Sequence, residues 1–307
     1  MEYKMEIKLL DNDEINFIKW DNCVKSSLNA IVYAETWFLD IVCPNWKGMV
    51  ADDYEFVMPI CTKQKFTIPY VYQPYFTQQL GLFSSHLIDE KLVNFYLKSL
   101  HYPYIEMNLN SFNKFSEPHF EIMERTNYEL DLPASYEILK NNYSEYTIRN
   151  LKKAAQNKIN VLQGTSVGAF IAFYKLQISR LVPELQKEHY EQLKKILSFA
   201  VRNGKGLIYS AYSDNNSLLA TAFLLQSPGR VILLAHAVTQ EGREKGAVFK
   251  IIDKFIFENA QKAIILDFEG SNIASIAKFF EGFGAKPVRY LRIKKNKLHP
   301  ILKLIKK

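Results

Sequence analysis

His236 sits in the apolar run Leu233-Leu234-Ala235-His236-Ala237-Val238. An imidazole with an ordinary pKa near 6.5 can take a proton at neutral pH, although a lone histidine in such a strand also serves as a satisfied core residue. Asp267 and Glu269 alternate across Asp267-Phe268-Glu269, and the two-residue period of a strand would turn both to one face. Two carboxylates there could share a proton or hold an ammonium; alternatively, one of them caps the next helix. The stretch from Gln240 through Arg243, Lys245, Gly246 and Ala247 would present free N–H groups at a helix start. Such a start seats an anion, or is an ordinary helix entry. Arg149, Lys152 and Lys153 fall within one and a half helical turns. They form a basic face suited to phosphate or simply to water.

Other chemistry is disfavoured. The three cysteines, Cys23, Cys43 and Cys61, have no CxxC spacing, and the six histidines are scattered. This speaks against a disulfide framework or a metal site. No apolar run reaches the ~18–20 residues of a membrane span, and no signal-peptide pattern follows Met1. A cytoplasmic protein is expected. Residues 292–307 carry Arg292, Lys294, Lys295, Lys297, Lys303, Lys306 and Lys307 and no acid. The rest of the chain balances its 32 acidic residues, so this tail carries the whole net charge of +7. It suits an anionic partner, nucleic acid or the inner face of a membrane, or is a solvated terminus.

At 307 residues the chain is expected to form two domains, and the loop signals at Pro133-Ala134-Ser135 and Asn141-Asn142 divide it into 1–137 and 138–307. The first half suggests helices over 13–26 and 35–42. A hairpin, 46–51 and 55–62, turns at Asp52-Asp53. A strand over 65–72, an aromatic loop over 73–83, an amphipathic stretch over 86–100 and strands over 104–109 and 119–132 follow. In the second half, Ser144 caps a helix to 158, Val167, Phe170, Ile171 and Tyr174 start another, and a third ends at Gly204. Strands over 206–213, 218–226 and 230–238 form a meander. Next come a helix over 244–262, a buried strand over 263–268, a helix over 271–283 with Ile273, Ile276, Ala277 and Phe280 inward, and a strand over 287–293.

That order resembles the GNAT acyltransferase fold. Asp267-Phe268-Glu269-Gly270-Ser271, then Ala277-Lys278-Phe279-Phe280 and Phe283-Gly284-Ala285, resemble the C-terminal signature of the Fem-like non-ribosomal peptidyltransferases. The basic helix 143–158 resembles the one that opens their second domain. The resemblance covers 143–295 and extends more loosely over 1–140. It implies an α/β (α+β) fold of two tandem GNAT-like domains, each a mixed, mostly antiparallel sheet flanked by helices. It also implies transfer of an aminoacyl group from aminoacyl-tRNA, or of an acyl group from acyl-CoA, to the primary amine of a small molecule or an envelope precursor, without a metal. The long helical insertion that some Fem proteins use for tRNA is missing.

Within that resemblance Arg243, Lys245, Gly246 and Ala247 would grip the donor's phosphates, with Val248 standing where the GNAT pattern has Gly or Ala. His236, Asp267 and Glu269 would handle the amine, and Tyr290 would protonate the leaving group. Arg149, Lys152, Lys153, Gly270 and Ser271 would contact substrate. A different class also fits: a degenerate GNAT pair that only binds RNA, an acyl ligand or an anionic membrane surface through residues 298–307.

Overall fold

The computed structural model describes residues 5–270 and 273–298. Ser271 and the tail beyond Leu298 lie outside the described residues. The chain forms two compact units, residues 1–125 with 289–307, and residues 126–288. The division thus falls earlier than 137/138, and the chain returns to the first unit at its end.

In the first unit, Asn16 starts helix α1 (Phe17–Ser26) by accepting the Lys19 amide at 3.1 Å, a standard N-cap. Helix α2 (Thr36–Val42) follows. Trp20 of α1 is fully buried and donates its indole N–H to Ala34 O at 2.9 Å. Strands β1 (Lys8–Asp11), β2 (Lys47–Ala51) and β3 (Phe56–Ile60) form an antiparallel sheet in the order β1-β2-β3. The expected β2–β3 hairpin is present; its turn runs through Asp52, Asp53 and Tyr54, all at positive φ. The strand expected over 65–72 is instead a second hairpin, β4 (Thr62–Lys65) and β5 (Ile68–Val71), turning at Phe66-Thr67. Helix α3 (Glu90–Lys98), capped by Asp89, leads to β6 (Tyr104–Leu109). The described cysteines are free and buried.

In the second unit, β7 (Glu121–Asp131, from Thr126 on) is followed by α4 (Tyr136–Asn141), α5 (Glu145–Gln156), β8 (Asn160–Gln163), α6 (Val167–Ile178) and α7 (Lys187–Arg202). Ser144 caps α5 as expected, accepting from the Thr147 amide at 3.2 Å. The meander is β9 (Gly206–Tyr212), β10 (Leu218–Ser227) and β11 (Arg230–Val238). Then come α8 (Gln240–Glu244), α9 (Ala247–Asn259), β12 (Ile265–Asp267), α10 (Ala274–Glu281) and β13 (Lys286–Asn296). From Leu291 onward β13 pairs antiparallel with β6 in the first unit. The sheet of the second unit runs β7-β12-β11-β10-β9-β8, antiparallel except where β11 meets β12.

The predicted order of elements is therefore present, with physical differences. The helix predicted over 244–262 starts later, at Ala247 as α9, and is preceded by the separate short helix α8; Gly246, at φ 77°, stands between them. The apolar stripe Val248, Ile251, Ile252 and Phe255 is buried as predicted. It joins Phe249, Phe268, Phe280 and Phe283 in the core. Two residues assigned inward on α10 are not: Ile273 is 60% exposed and Ile276 36%.

Candidate functional site

The site starts from an interrupted ladder. Against β10, strand β11 bulges: Phe223 pairs with Ala235 and Leu224 with Leu233, leaving Leu234 as the extra residue, which bends and twists a strand locally. Against β12, the parallel ladder has only three rungs, Arg230–Ile265, Val231–Leu266 and Ile232–Asp267. Beyond Asp267 the chain turns away through Glu269 (φ 55°) and Gly270 (φ 41°). A Cβ at Gly270 would stand 2.1 Å from Thr126 O and 2.5 Å from Asn127 Cα, so only glycine fits this turn. Residues 233–238 of β11 consequently run on beside an opening. A cavity of about 520 Å³ fills it, with β11, the turn at Phe268–Gly270, the end of α6 and the start of α10 as its walls.

A three-group clamp holds the base of this opening. Arg230 Nη1 donates to Glu129 Oε1 and to Asp267 Oδ2, both at 2.8 Å. Asp267 Oδ1 accepts the Glu269 amide at 2.9 Å. Burial works against the charge on Arg230, yet Asp267 and Glu129 raise its pKa regardless. Both Asp267 oxygens are thus engaged, and its side chain is 1% exposed.

His236 lines this cavity and a second one of about 420 Å³. Its ring makes no hydrogen bond among the described residues, unlike a satisfied core histidine. Withdrawal from water lowers its pKa, which keeps the ring neutral at pH 7. Tyr174 of α6 lines the first cavity, stacked on Phe170 at 5.8 Å. Burial first, then the charges of Tyr190 and Glu269, push its pKa up to about 12. It stays protonated and so retains an O–H to donate. Glu269 lines the same cavity.

The second cavity lies at the start of α9, bounded by Tyr146, Gly246, Ala247, Val248, Phe249 and Phe279 among others. No side chain caps α9. The amides of Ala247, Val248 and Phe249 meet no acceptor among the described residues, as expected of a first helical turn. A Cβ on Gly246 would lie 2.5 Å from Asn150 O, so this close approach of α9 to α5 depends on glycine. Arg243 lines both cavities, exposed and without an ion pair among the described residues. The neighbouring acids are turned to other partners: Glu241 accepts from Lys245 at 2.7 Å and Glu244 from Gln240 at 3.2 Å. An uncapped 13-residue helix faced by a free arginine can hold phosphate oxygens.

Of the residues singled out in the sequence, His236, Glu269, Gly270, Arg243, Gly246 and Ala247 line these two cavities. Others are placed elsewhere. Asp267 and Glu269 do not share a face, because the positive φ at Glu269 breaks the two-residue alternation; Asp267 belongs to the clamp. Lys245 is bound to Glu241 and lines neither cavity. Tyr290 is on the part of β13 that belongs to the first unit, so the cavities of the second unit are built without it. Lys152 and Lys153 are exposed and line neither cavity. Arg149 reaches the rim indirectly, its guanidinium 5.4 Å from the Tyr146 ring centroid. Ser271 lies outside the described residues. Sequence reasoning missed Tyr174 and the aromatic wall of Tyr146, Phe249 and Phe279. The four-residue spacing of Phe170, Tyr174 and Ile178 was the available signal, and it reads equally as core. Among the described residues no cluster of His, Cys, Asp or Glu could hold a metal ion, and no helix is long and apolar enough to cross a membrane.

No protein-family model and no curated protein matches the chain. Solved structures do. FemX superposes with a TM-score of 0.67 at 12% identity, covering 98% of this chain and 100% of FemX. A conserved protein of unknown function from Bacteroides thetaiotaomicron superposes with a TM-score of 0.59 at 11% identity, covering 94% of this chain and 99% of its own. The chain therefore shares the fold of FemX, an α/β fold as expected from the order of its elements.

Proposed function

We propose that this protein is an N-acyltransferase that moves an acyl or aminoacyl group from acyl-CoA or aminoacyl-tRNA to a primary amine. The acceptor class is an amine-bearing small molecule or envelope precursor. The observation that carries this reading is the three-rung β11–β12 ladder, which opens a cleft with His236 on one wall and the uncapped start of α9 beside it.

The chemistry assigns a role to each group. Arg243 and the first amides of α9 hold the donor's phosphates. Glu269 binds the incoming ammonium. The neutral ring of His236, directly or through water, takes the proton that makes the amine nucleophilic. The nitrogen attacks the acyl carbonyl carbon; an N–C bond forms and the bond to the thiol sulfur or ribose oxygen breaks. The nitrogen's second proton passes to the leaving group by way of the Tyr174 hydroxyl, which gives its own proton to the leaving atom and recovers one from the nitrogen, and His236 releases its proton to solvent after product departs. Backbone groups of residues 233–238 that face the opening are suited to hydrogen-bond the donor's amides or the developing oxyanion.

Calorimetry of the purified chain against CoA, acetyl-CoA and aminoacyl-tRNA, followed by turnover assays with a panel of amines, tests the proposal. At least one donor should bind, and an amide product should form in its presence. Absence of binding by every donor rejects the reading. Binding without turnover on any amine would favour the ligand-binding alternative.

A further inference from the structure

Building on that transferase reading, we propose that the transferred group is an apolar acyl chain, carried as a pantetheine thioester and seated between the end of α6 and the start of α10.

The larger cavity has two ends. His236, Arg243, Val238 and Ile276 are shared with the cavity at the start of α9 and mark the junction where the donor's reactive end would arrive. Ile178, Leu181, Val182 and Ile273 line the larger cavity alone. This second end is walled by aliphatic side chains. Leu181 is 64% exposed and Ile273 60%. Single exposed aliphatics on a surface need no explanation. Here they converge on one concavity that continues from the reacting groups, which is the pattern of a site for an apolar ligand. The sequence had assigned Ile273 and Ile276 to the core, yet they open onto the cleft.

Size and charge separate the candidates. Water takes roughly 30 Å³ per molecule, so about 520 Å³ is many times what an acetyl group fills. An aminoacyl group would bring an ammonium that needs an acidic partner. Among the described residues Glu269 is the one acidic side chain in the lining, and the acceptor amine requires it. An aliphatic chain makes no such demand and covers the exposed side chains. In the step itself the chain's carbonyl carbon leaves sulfur and bonds the amine nitrogen. The amine's proton ends on the thiol, so no further reactant is consumed.

The test is titration calorimetry of the full chain with non-reactive S-alkyl thioethers of CoA, from ethyl to dodecyl. Each added methylene should tighten binding by about three- to fourfold until the cavity is filled. Leu181→Arg and, separately, Val182→Asp should flatten the series while leaving the ethyl compound's Kd unchanged. Leu181 is mostly exposed, and melting curves for both variants verify folding. A wild-type series that is flat from ethyl to dodecyl overturns this inference and leaves the transferase reading standing. So does an aminoalkyl thioether that binds as tightly as an alkyl one of equal length. If neither CoA nor any thioether binds, this inference falls, and the transferase reading falls with it only if aminoacyl-tRNA fails to bind as well. The same series on 4′-phosphopantetheine distinguishes the carriers: weaker binding than on CoA assigns the chain to CoA, equal binding to a carrier protein's arm, and a graded series in either case supports the chain site.

Discussion

Asp267→Asn should cost stability rather than chemistry. In the native protein Asp267 is 1% exposed, accepts Arg230 Nη1 at 2.8 Å and accepts the Glu269 amide at 2.9 Å. Removing one partner of a buried ion pair typically costs about 3–5 kcal/mol, because the other charge stays desolvated. Two features reduce that figure. Arg230 keeps Glu129 on the same nitrogen, and the side chains of Arg230 and Glu129 are each 15% exposed. The asparagine can still accept one hydrogen bond. A loss of about 2–3 kcal/mol follows, equivalent in a unit of this size to a fall in Tm of roughly 4–12 °C. Scanning calorimetry of the full chain measures it, with kcat/KM determined well below both melting temperatures. Activity of the folded variant should stay within about fivefold of wild type, since Asp267 lines neither cavity. A Tm within 2 °C of wild type, combined with about a 100-fold loss of kcat/KM, would refute the clamp and return Asp267 to the reacting groups.

Glu269→Gln should show the opposite profile, a small change in Tm with kcat/KM reduced by about 10²-fold, read in the same two assays. His236→Gln should lower kcat/KM by about 10²–10³-fold. Because burial lowers the His236 pKa from 6.5, the acid limb of the wild-type pH–rate profile should fall below pH 6.5. Stability follows the same sign. Between its folded pKa and 6.5 the unfolded chain binds the extra proton, so this histidine's contribution is complete above 6.5 and declines as the pH drops below it; urea titrations across pH 5–7, with His236→Gln as control, measure the difference. Arg243→Ala should weaken donor binding by about 1–3 kcal/mol with no change in Tm, measured by calorimetry. Gly246→Ala should be destabilised by more than about 1 kcal/mol and bind donor poorly, because its φ of 77° and the nearby Asn150 carbonyl exclude a methyl group.

Local signals made the scaffold of the second unit legible. The α9 stripe from Val248 to Phe255, the Ser144 cap and the three-strand meander each follow from the chemistry of nearby residues, and each is present in the fold. His236, Arg243 and Gly246 could be singled out for the same reason. The features that make the cleft are not local. The bulge at Leu234, the end of the ladder at Ile232–Asp267 and the left-handed turn at Glu269 depend on β10, on Arg230 and on the backbone of Thr126, which are distant in sequence. A period-two reading of Asp267-Phe268-Glu269 cannot register them, and so paired two carboxylates that the fold separates. Strand β8 was missed because its four residues, Asn160–Gln163, are too few to show an alternation.

The short β11–β12 ladder has a consequence for backbone exchange with solvent. From Leu233 to Val238, amides directed at β10 are locked in a ladder, while those directed at the opening have no strand to bond. Hydrogen–deuterium exchange along this one strand should therefore alternate, slow and fast, with a residue omitted at the Leu234 bulge. A donor lying in the cleft would act as the absent strand, and the fast set alone would become slow. Protection at every second amide of β11 is thus a signature of occupancy that can be read before any substrate is known, and it would give the direction in which the bound chain runs.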